Sequence, residues 1–246
     1  MATHIHPAAH VDAEAELGEN VEVMAGAVVT KWAQIGDRVV IHPGAVVGGD
    51  PQYLSFDSGT PSYVEIGKET VVRESVTVNR SLYKGQATSI GERCFLMACS
   101  HAGHDCRVAD DVVLANNAML AGHVEVGEFT FVGGGAGIHQ FCRIGPVGMI
   151  AGLARVTRDV PAFCMVAERD ELTGLNLVGL KRRGWSRDVI MEIKDNYRAV
   201  LSELGNPRPR AADRMAAAES DPAKTFLKFF EGGKRGFAQP ARLSQG

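Results

Sequence analysis

The chain has no apolar run near the roughly 18 residues that a membrane-spanning helix needs. It opens Met1-Ala-Thr-His-Ile-His, without the basic stretch and apolar core of a secretory leader. It lacks a dominant charge. Its 26 Lys and Arg against 29 Asp and Glu leave a net −3, which excludes a generally polycationic nucleic-acid binder. Its five cysteines, Cys94, Cys99, Cys106, Cys142 and Cys164, form no CxxC pair and no regular framework. They are therefore expected to be reduced, mostly buried thiols of a cytoplasmic protein. Aromatics are scarce at 7%, yet hydrophobic residues reach 45%, which excludes a disordered chain and calls for an aliphatic core. Glycine alone is in excess, 28 of 246 residues, against a usual share of about 7%. Many tight corners are implied.

A six-residue period accounts for both features. Stepping from Ile5 gives Val11, Leu17, Val23, Val29, Ile35, Ile41 and Val47; a second phase runs from Ile66 to Val156. Of these 24 positions, 22 are Ile, Leu or Val; the exceptions are Lys84 and Ala102. Four residues after each anchor the side chain is usually small or β-branched, as at Ala45, Cys94, Ala118 and Ala136, and one residue after it Gly or Ala recurs. Period six is neither helical nor plain strand alternation. It reads as short strands broken by regular turns, the pattern of a parallel β-helix. The pattern resembles the hexapeptide-repeat acyltransferases. That resemblance implies an all-β, left-handed parallel β-helix, three hexads to an 18-residue coil and about eight coils, followed by a small α-helical domain.

The expected division is a β-helix over 1–174 and a helical domain over 175–246. Loops leave the prism near 48–65, where the phase breaks, and near 79–88, where Lys84 cannot be a core anchor. Beyond the repeat, Trp185, Val189, Ile193, Tyr197, Val200, Leu201 and Leu204 form one apolar stripe, with Ser186 as N-cap and Gly205 and Pro207 as stop. Asp221-Pro222 starts another helix, with Phe226, Phe229 and Phe230 inward. Charge divides the same way: residues 1–174 carry 12 basic and 21 acidic groups, residues 175–246 carry 14 and 8.

Four of eight histidines, His4, His6, His10 and His42, read as ordinary surface or turn residues. The other four fall close together at His101, His104, His123 and His139. On an 18-residue coil, His104, Gly122 and Gln140 stack in one column, Asp105 and His123 in the next, and Gly103, Ala121 and His139 on the other side. They form one patch, roughly 10 Å tall. The residues alone leave three readings: a solvated polar strip, a zinc site built from His-x-x-His and a third imidazole one coil up, or a proton-transfer base that Asp105 orients.

The ordered runs His101-Ala-Gly-His-Asp-Cys106, Leu114-Ala-Asn-Asn-Ala118, Leu120-Ala-Gly-His-Val124, Ile138-His-Gln-Phe-Cys142 and Gly179-Leu-Lys-Arg-Arg-Gly184 resemble the acyl-[acyl-carrier-protein]–UDP-N-acetylglucosamine O-acyltransferases, which begin lipid A synthesis. The resemblance covers most of the chain. It implies transfer of a 3-hydroxyacyl chain from acyl carrier protein to the sugar 3-position, with His104 as general base, Asp105 holding its ring and the Gly122 N–H stabilising the oxyanion. His101, His123, His139, Gln140, Gln52, Asn176 and Arg183 would bind substrate, and Gly152 would set acyl length. It implies no metal and no cofactor beyond the carrier's phosphopantetheine. It implies a homotrimer with clefts between prisms, and an acidic carrier protein docked on the basic tail. The sequence departs from the family pattern at Tyr53, Ser55, Asn79, Asp170 and Val178, which leaves a 3-amino acceptor as an alternative. A zinc enzyme resembling the γ-class carbonic anhydrases is another.

Overall fold

The computed structural model describes residues 2–201, 203 and 205–240. Met1 and 241–246, at the ends of the two expected domains, lie outside them, as does Leu204 of the expected stripe. Among the described residues, twenty-four strands run from His4–Ile5 to Cys164–Ala167, most only two residues long. They close three parallel faces, so that three strands make a coil and eight coils make the prism. Pairing is in register at an 18-residue spacing: Val113 lies against Phe131 and Phe131 against Met149.

The anchors point inward. Val23, Leu96, Leu114, Leu120, Val132 and Ile150 are fully buried, and the small column between them, including Ala118, Val124 and Ala136, completes the core. The first coil covers only one side of its neighbour, so Ile5 stays 43% exposed. The third residue after most anchors adopts a left-handed conformation, as at Asn20 (φ 58°), Asp111 (φ 57°) and Phe129 (φ 58°). Such residues cost about 1 kcal/mol each when not glycine, and the rungs on either side hold them there. The residue just after the anchor runs so close to the next coil that a Cβ on Gly91 would lie 2.6 Å from the Ala109 carbonyl carbon. Four cysteines are buried and Cys99 is exposed; burial pushes the Cys94 thiol up to about 11 and that of Cys106 up to about 12.

Two insertions interrupt the winding. Val40 pairs with Val71, thirteen residues beyond the regular spacing, and Val71 pairs with Phe95, six beyond it. Six residues equal one beat, which is why the phase survives the second insertion although Lys84 is an exposed loop residue. Arg80 ties the two loops together. Its guanidinium is wholly buried, donates to Asp50 (2.8–2.9 Å) and to the Ser58 (2.8 Å) and Thr60 carbonyls, and lies between Trp32 and Phe56, 4.5 and 4.7 Å from their ring centres.

The strand Cys164–Ala167 turns back into an antiparallel partner, Glu171–Leu175. Four helices follow: α1 (Leu177–Arg182), α2 (Arg187–Leu201), α3 (Arg208–Met215) and α4 (Asp221–Lys228). Ser186 accepts from the Val189 N–H and starts α2 as expected, and Ile193, Val200 and Leu201 of the stripe are buried. Ser220 caps α4, whose Phe226 packs with Phe230. The short α1 and α3 carry too few apolar residues to show a period. The tail also returns to the prism: Gln239–Pro240 adds a strand beside Glu171–Leu175, and Phe237 bridges to Asp159. Asp159 is fully buried and pushed up by that burial; it holds Arg143, which in turn donates to the Phe229 carbonyl (3.0 Å).

Removing the Arg80 guanidinium strands Asp50 and several carbonyls around a cavity. Arg80→Met is expected to destabilise the fold by about 3 kcal/mol or more, read as a fall in Tm, with hydrogen-exchange protection lost first over residues 50–62. Unchanged protection in that loop contradicts the tie.

Candidate active site

The histidine patch forms at one corner of the prism. His101 opens the strand His101–Ala102; His104 and Asp105 occupy the turn after it. Asp105 is the left-handed residue of that turn (φ 61°), which turns its carboxylate back to its neighbour's ring. His104 Nδ1 lies 2.8 Å from Asp105 Oδ2. With Nδ1–H donated to the carboxylate, Nε2 carries the lone pair, the arrangement of an oriented base.

The carboxylate is held from the far side by the second insertion. Ser81 Oγ donates to Asp105 Oδ1, the Leu82 N–H donates to Oδ2 (3.2 Å), and the Asp105 N–H donates to Thr88 Oγ1 (2.7 Å). Burial alone would push Asp105 up. The hydrogen bonds from His104, Ser81 and Leu82, with His123 nearby, outweigh it and hold the carboxyl below the ordinary range. Sequence reasoning missed Ser81, Leu82 and Thr88. Their signal was the loop itself, one beat long and one coil below the histidines.

Gly122 sits one coil above His104. A Cβ there would lie 2.5 Å from His104 Cε1 and 2.6 Å from Nε2, so any side chain would displace the ring. Gly122 is buried, and its N–H finds no acceptor among the described residues. His123, in the Asp105 column, places Nε2 3.8 Å from Asp105 Oδ2 and stacks on Phe141, centroids 4.4 Å apart at 9°. His101 Nδ1 pairs with Thr77 Oγ1 at 2.7 Å. Burial pushes both His101 and His123 down.

A groove of about 460 Å³ runs along this corner. Gln52, His101, His104, Gly122 and His139 line it, joined by Asn79 and Arg155, which were not among the expected binding residues. His139 is exposed there, whereas Gln140, also exposed, and His123, which lines a separate cavity of about 370 Å³, are not among its lining residues. The remaining expected residues lie elsewhere on the protomer. Asn176 caps α1, accepting from the Gly179 N–H and donating to the Val147 carbonyl, both at 2.9 Å. Arg183 lies 3.8 Å over the Phe129 ring in a separate cavity of about 570 Å³. Gly152 is exposed on another corner, where a Cβ would meet the Gly134 carbonyl at 3.3 Å. Among the described residues, His104, Asp105 and His123 are the group whose ligand atoms lie close enough to share a metal, within 4.8 Å of one another; His101 stands outside it.

A hexapeptide prism with a carboxylate-held imidazole and an unbonded corner N–H beside a groove defines a hexapeptide-repeat acyl-transfer enzyme. Residues 14–49 match the family model of the bacterial transferase hexapeptide (six repeats), and residues 159–238 match domain 2 of UDP N-acetylglucosamine O-acyltransferase. The chain is 37% identical over 228 residues to the acyl-[acyl-carrier-protein]–UDP-N-acetylglucosamine O-acyltransferase of Campylobacter concisus, covering 92% of this chain and 87% of that one. Among solved structures, it resembles the UDP-N-acetylglucosamine acyltransferase of Campylobacter jejuni (35% identity, TM-score 0.85, 96% of this chain and 100% of that one). The Arabidopsis enzyme is similar at 31% identity, TM-score 0.89, over 97% and 88%. The chain belongs to the acyl-[acyl-carrier-protein]–UDP-N-acetylglucosamine O-acyltransferase family, and its prism is the left-handed parallel β-helix of that family.

Two outcomes follow from the electrostatics. Asp105→Asn removes the acceptor that fixes the His104 tautomer, so turnover should fall about 100-fold or more with KM nearly unchanged; a fall below tenfold contradicts the assignment. Because burial favours neutral His101 and His123, the unfolded chain binds protons below about pH 6.5 that the folded chain resists. Tm should therefore fall between pH 7 and pH 5, less steeply in His101→Gln.

Proposed function

We propose that the chain transfers a 3-hydroxyacyl group from the thioester of acyl carrier protein to the 3-hydroxyl of UDP-N-acetylglucosamine, the first step of lipid A biosynthesis. The observation that carries this reading is the pairing of the Asp105-held His104 with the free Gly122 N–H one coil above it. His104 Nε2 takes the proton of the sugar hydroxyl as that oxygen attacks the thioester carbonyl. The Gly122 N–H faces the developing oxyanion. Collapse expels the pantetheine thiolate, and His104 returns the proton to sulfur. A thioester is already activated, so base and donor carry the step: such a base contributes about 10²–10⁴ in rate, and one oxyanion donor about 10²–10³.

His101, His123, His139, Gln140 and Gln52 form the sugar-nucleotide wall in this reading. Asn176, Arg183 and Gly152 reach the same substrate from a neighbouring copy in a homotrimer. Two features support that: their distance from the groove within one protomer, and apolar side chains left on the prism surface, with Leu153 84% and Met119 51% exposed. The phosphopantetheine arm belongs to the carrier protein, which docks on the basic tail around Lys181, Arg182 and Arg187. No helix among the described residues is long and apolar enough to cross a membrane, and we place the reaction in the cytoplasm.

The test is incubation with UDP-N-acetylglucosamine and a panel of 3-hydroxyacyl carrier-protein thioesters, with the product read by mass. His104→Ala should lower turnover at least ~100-fold while the assembled mass in solution stays that of the wild type. Turnover near wild type in that variant rejects the base.

A further inference from the structure

We propose that Arg155, with Arg158 and Arg169 beside it, is a phosphate-binding subsite at the upper end of the groove. The inference rests on the acyl-transfer reading, because both substrates of that reaction carry phosphate.

Register places the residue. On the face that carries His101, successive rungs pair His101 with Met119, Met119 with Gly137 and Gly137 with Arg155. Arg155 thus stands in the same outward column as His101, three rungs or about 14 Å further along. Between them stand Met119, which also lines the groove, and Gly137, which contributes no side chain and where a Cβ would meet nothing within 4 Å. Both ends line the groove, and Arg155 is the one permanently charged side chain among its lining residues.

Charge explains why the position calls for a ligand. Arg169 bridges to Arg155 in register, so two guanidinium side chains leave adjacent rungs at the same position. Like charges directly opposite on a sheet are destabilising. Arg158 follows at the next corner, and all three are exposed. None has a carboxylate partner among the described residues, whereas Arg38, Arg73, Arg80, Arg93 and Arg143 each have one. Of the acids next to them in the chain, Asp159 holds Arg143, and Asp170 accepts from the Thr157 hydroxyl (2.5 Å) and from the Thr157 and Arg158 N–H groups (2.6 and 3.1 Å), while the exposed Glu168 forms no ion pair with them among the described residues. The three arginines crowd together in the acidic half of the chain, where 12 basic groups face 21 acidic ones. A phosphate supplies the missing counter-charge, and a planar fork donor suits its oxygens. Thr157, fixed by Asp170, holds the backbone from which Arg155 and Arg158 project.

The phosphate has two sources, the diphosphate of the sugar nucleotide and the phosphodiester of the pantetheine arm. The experiment compares the wild-type full chain with Arg155→Gln and with the double variant Arg155→Gln/Arg169→Gln. Steady-state kinetics are measured for each substrate in turn, alongside equilibrium binding of UDP and of phosphopantetheine. A rise of about tenfold or more in KM for UDP-N-acetylglucosamine, with kcat within threefold, supports the subsite and assigns it to the nucleotide. The same rise in KM for the acyl carrier protein, with weaker phosphopantetheine binding, supports it and assigns it to the arm. Unchanged KM for both substrates overturns the proposal. Should the wild type transfer no acyl chain, the reading of the reaction fails. The subsite is then judged by binding alone, and unchanged affinity for both UDP and phosphopantetheine in the variants overturns it.

Discussion

Every feature of the molecule depends on one constraint: each rung must hydrogen-bond to the next at about 4.8 Å. Two-residue strands cannot adjust their register, so each residue sits over the one 18 later wherever no loop intervenes. The aliphatic anchors then stack into one continuous core, and the backbones at the corners approach too closely for a Cβ, as at Gly91. Residues such as Asn20 and Asp111 accept left-handed conformations that they would otherwise avoid, because the rungs above and below leave no alternative. Residues far apart in the chain become neighbours in a column, and the candidate site is one such set of columns.

The corner geometry also supplies the candidate oxyanion donor, the Gly122 N–H. The second residue of a corner has an N–H that points away from the rung pairing. At two other corners an aspartate in the same column accepts it: the Glu19 N–H donates to Asp37 Oδ1 at 2.8 Å, and the Glu92 N–H to Asp110 Oδ1 at 2.9 Å. In the His104 column the residue over Gly122 is Gln140, which is exposed and does not accept. The donor is thus a corner N–H with no side-chain acceptor above it. A buried donor left unbonded costs about 1–3 kcal/mol, and an oxyanion forming beside it relieves that cost. The same close approach that demands Gly at position 122 sets its backbone beside the His104 ring.

The prism was legible because its signal is periodic and its anchors are aliphatic. The stacking of His104 under Gly122, and of Asp105 under His123, followed from counting by 18. The hand of the coil came only through resemblance, since a period carries no chirality. What surrounds Asp105 was not legible: Ser81, Leu82 and Thr88 lie in or beside a loop, and a hydroxyl or a backbone N–H there has no pattern to betray it. Arg80 was missed for a related reason. Nothing in an isolated arginine announces that two aromatic rings and two loops will close over it. Asn176 and Arg183 were placed by resemblance, and within one protomer they lie apart from the groove.

The lengths of the two insertions explain how a uniform scaffold acquires a single specialised corner. A six-residue insertion adds one full beat, so the rungs above it resume on the same faces and every anchor keeps its inward direction. The chain can therefore leave the prism between Asn79 and Ala87, wrap Ser81 and Leu82 around the Asp105 carboxylate, and rejoin without disturbing a column. The thirteen-residue insertion is not a whole number of beats, and it appears as the break in phase. Its excess is absorbed in a loop that Arg80 locks down, the residue next to Asn79 where the second loop departs. The longer loop carries Gln52 to the groove and the shorter one holds Asp105, so a single buried guanidinium couples the groove wall to the His104–Asp105 pair. Regularity holds the columns, and its two exceptions leave the same corner in successive coils, which is why the candidate site is confined to a single corner of a fold that repeats everywhere else.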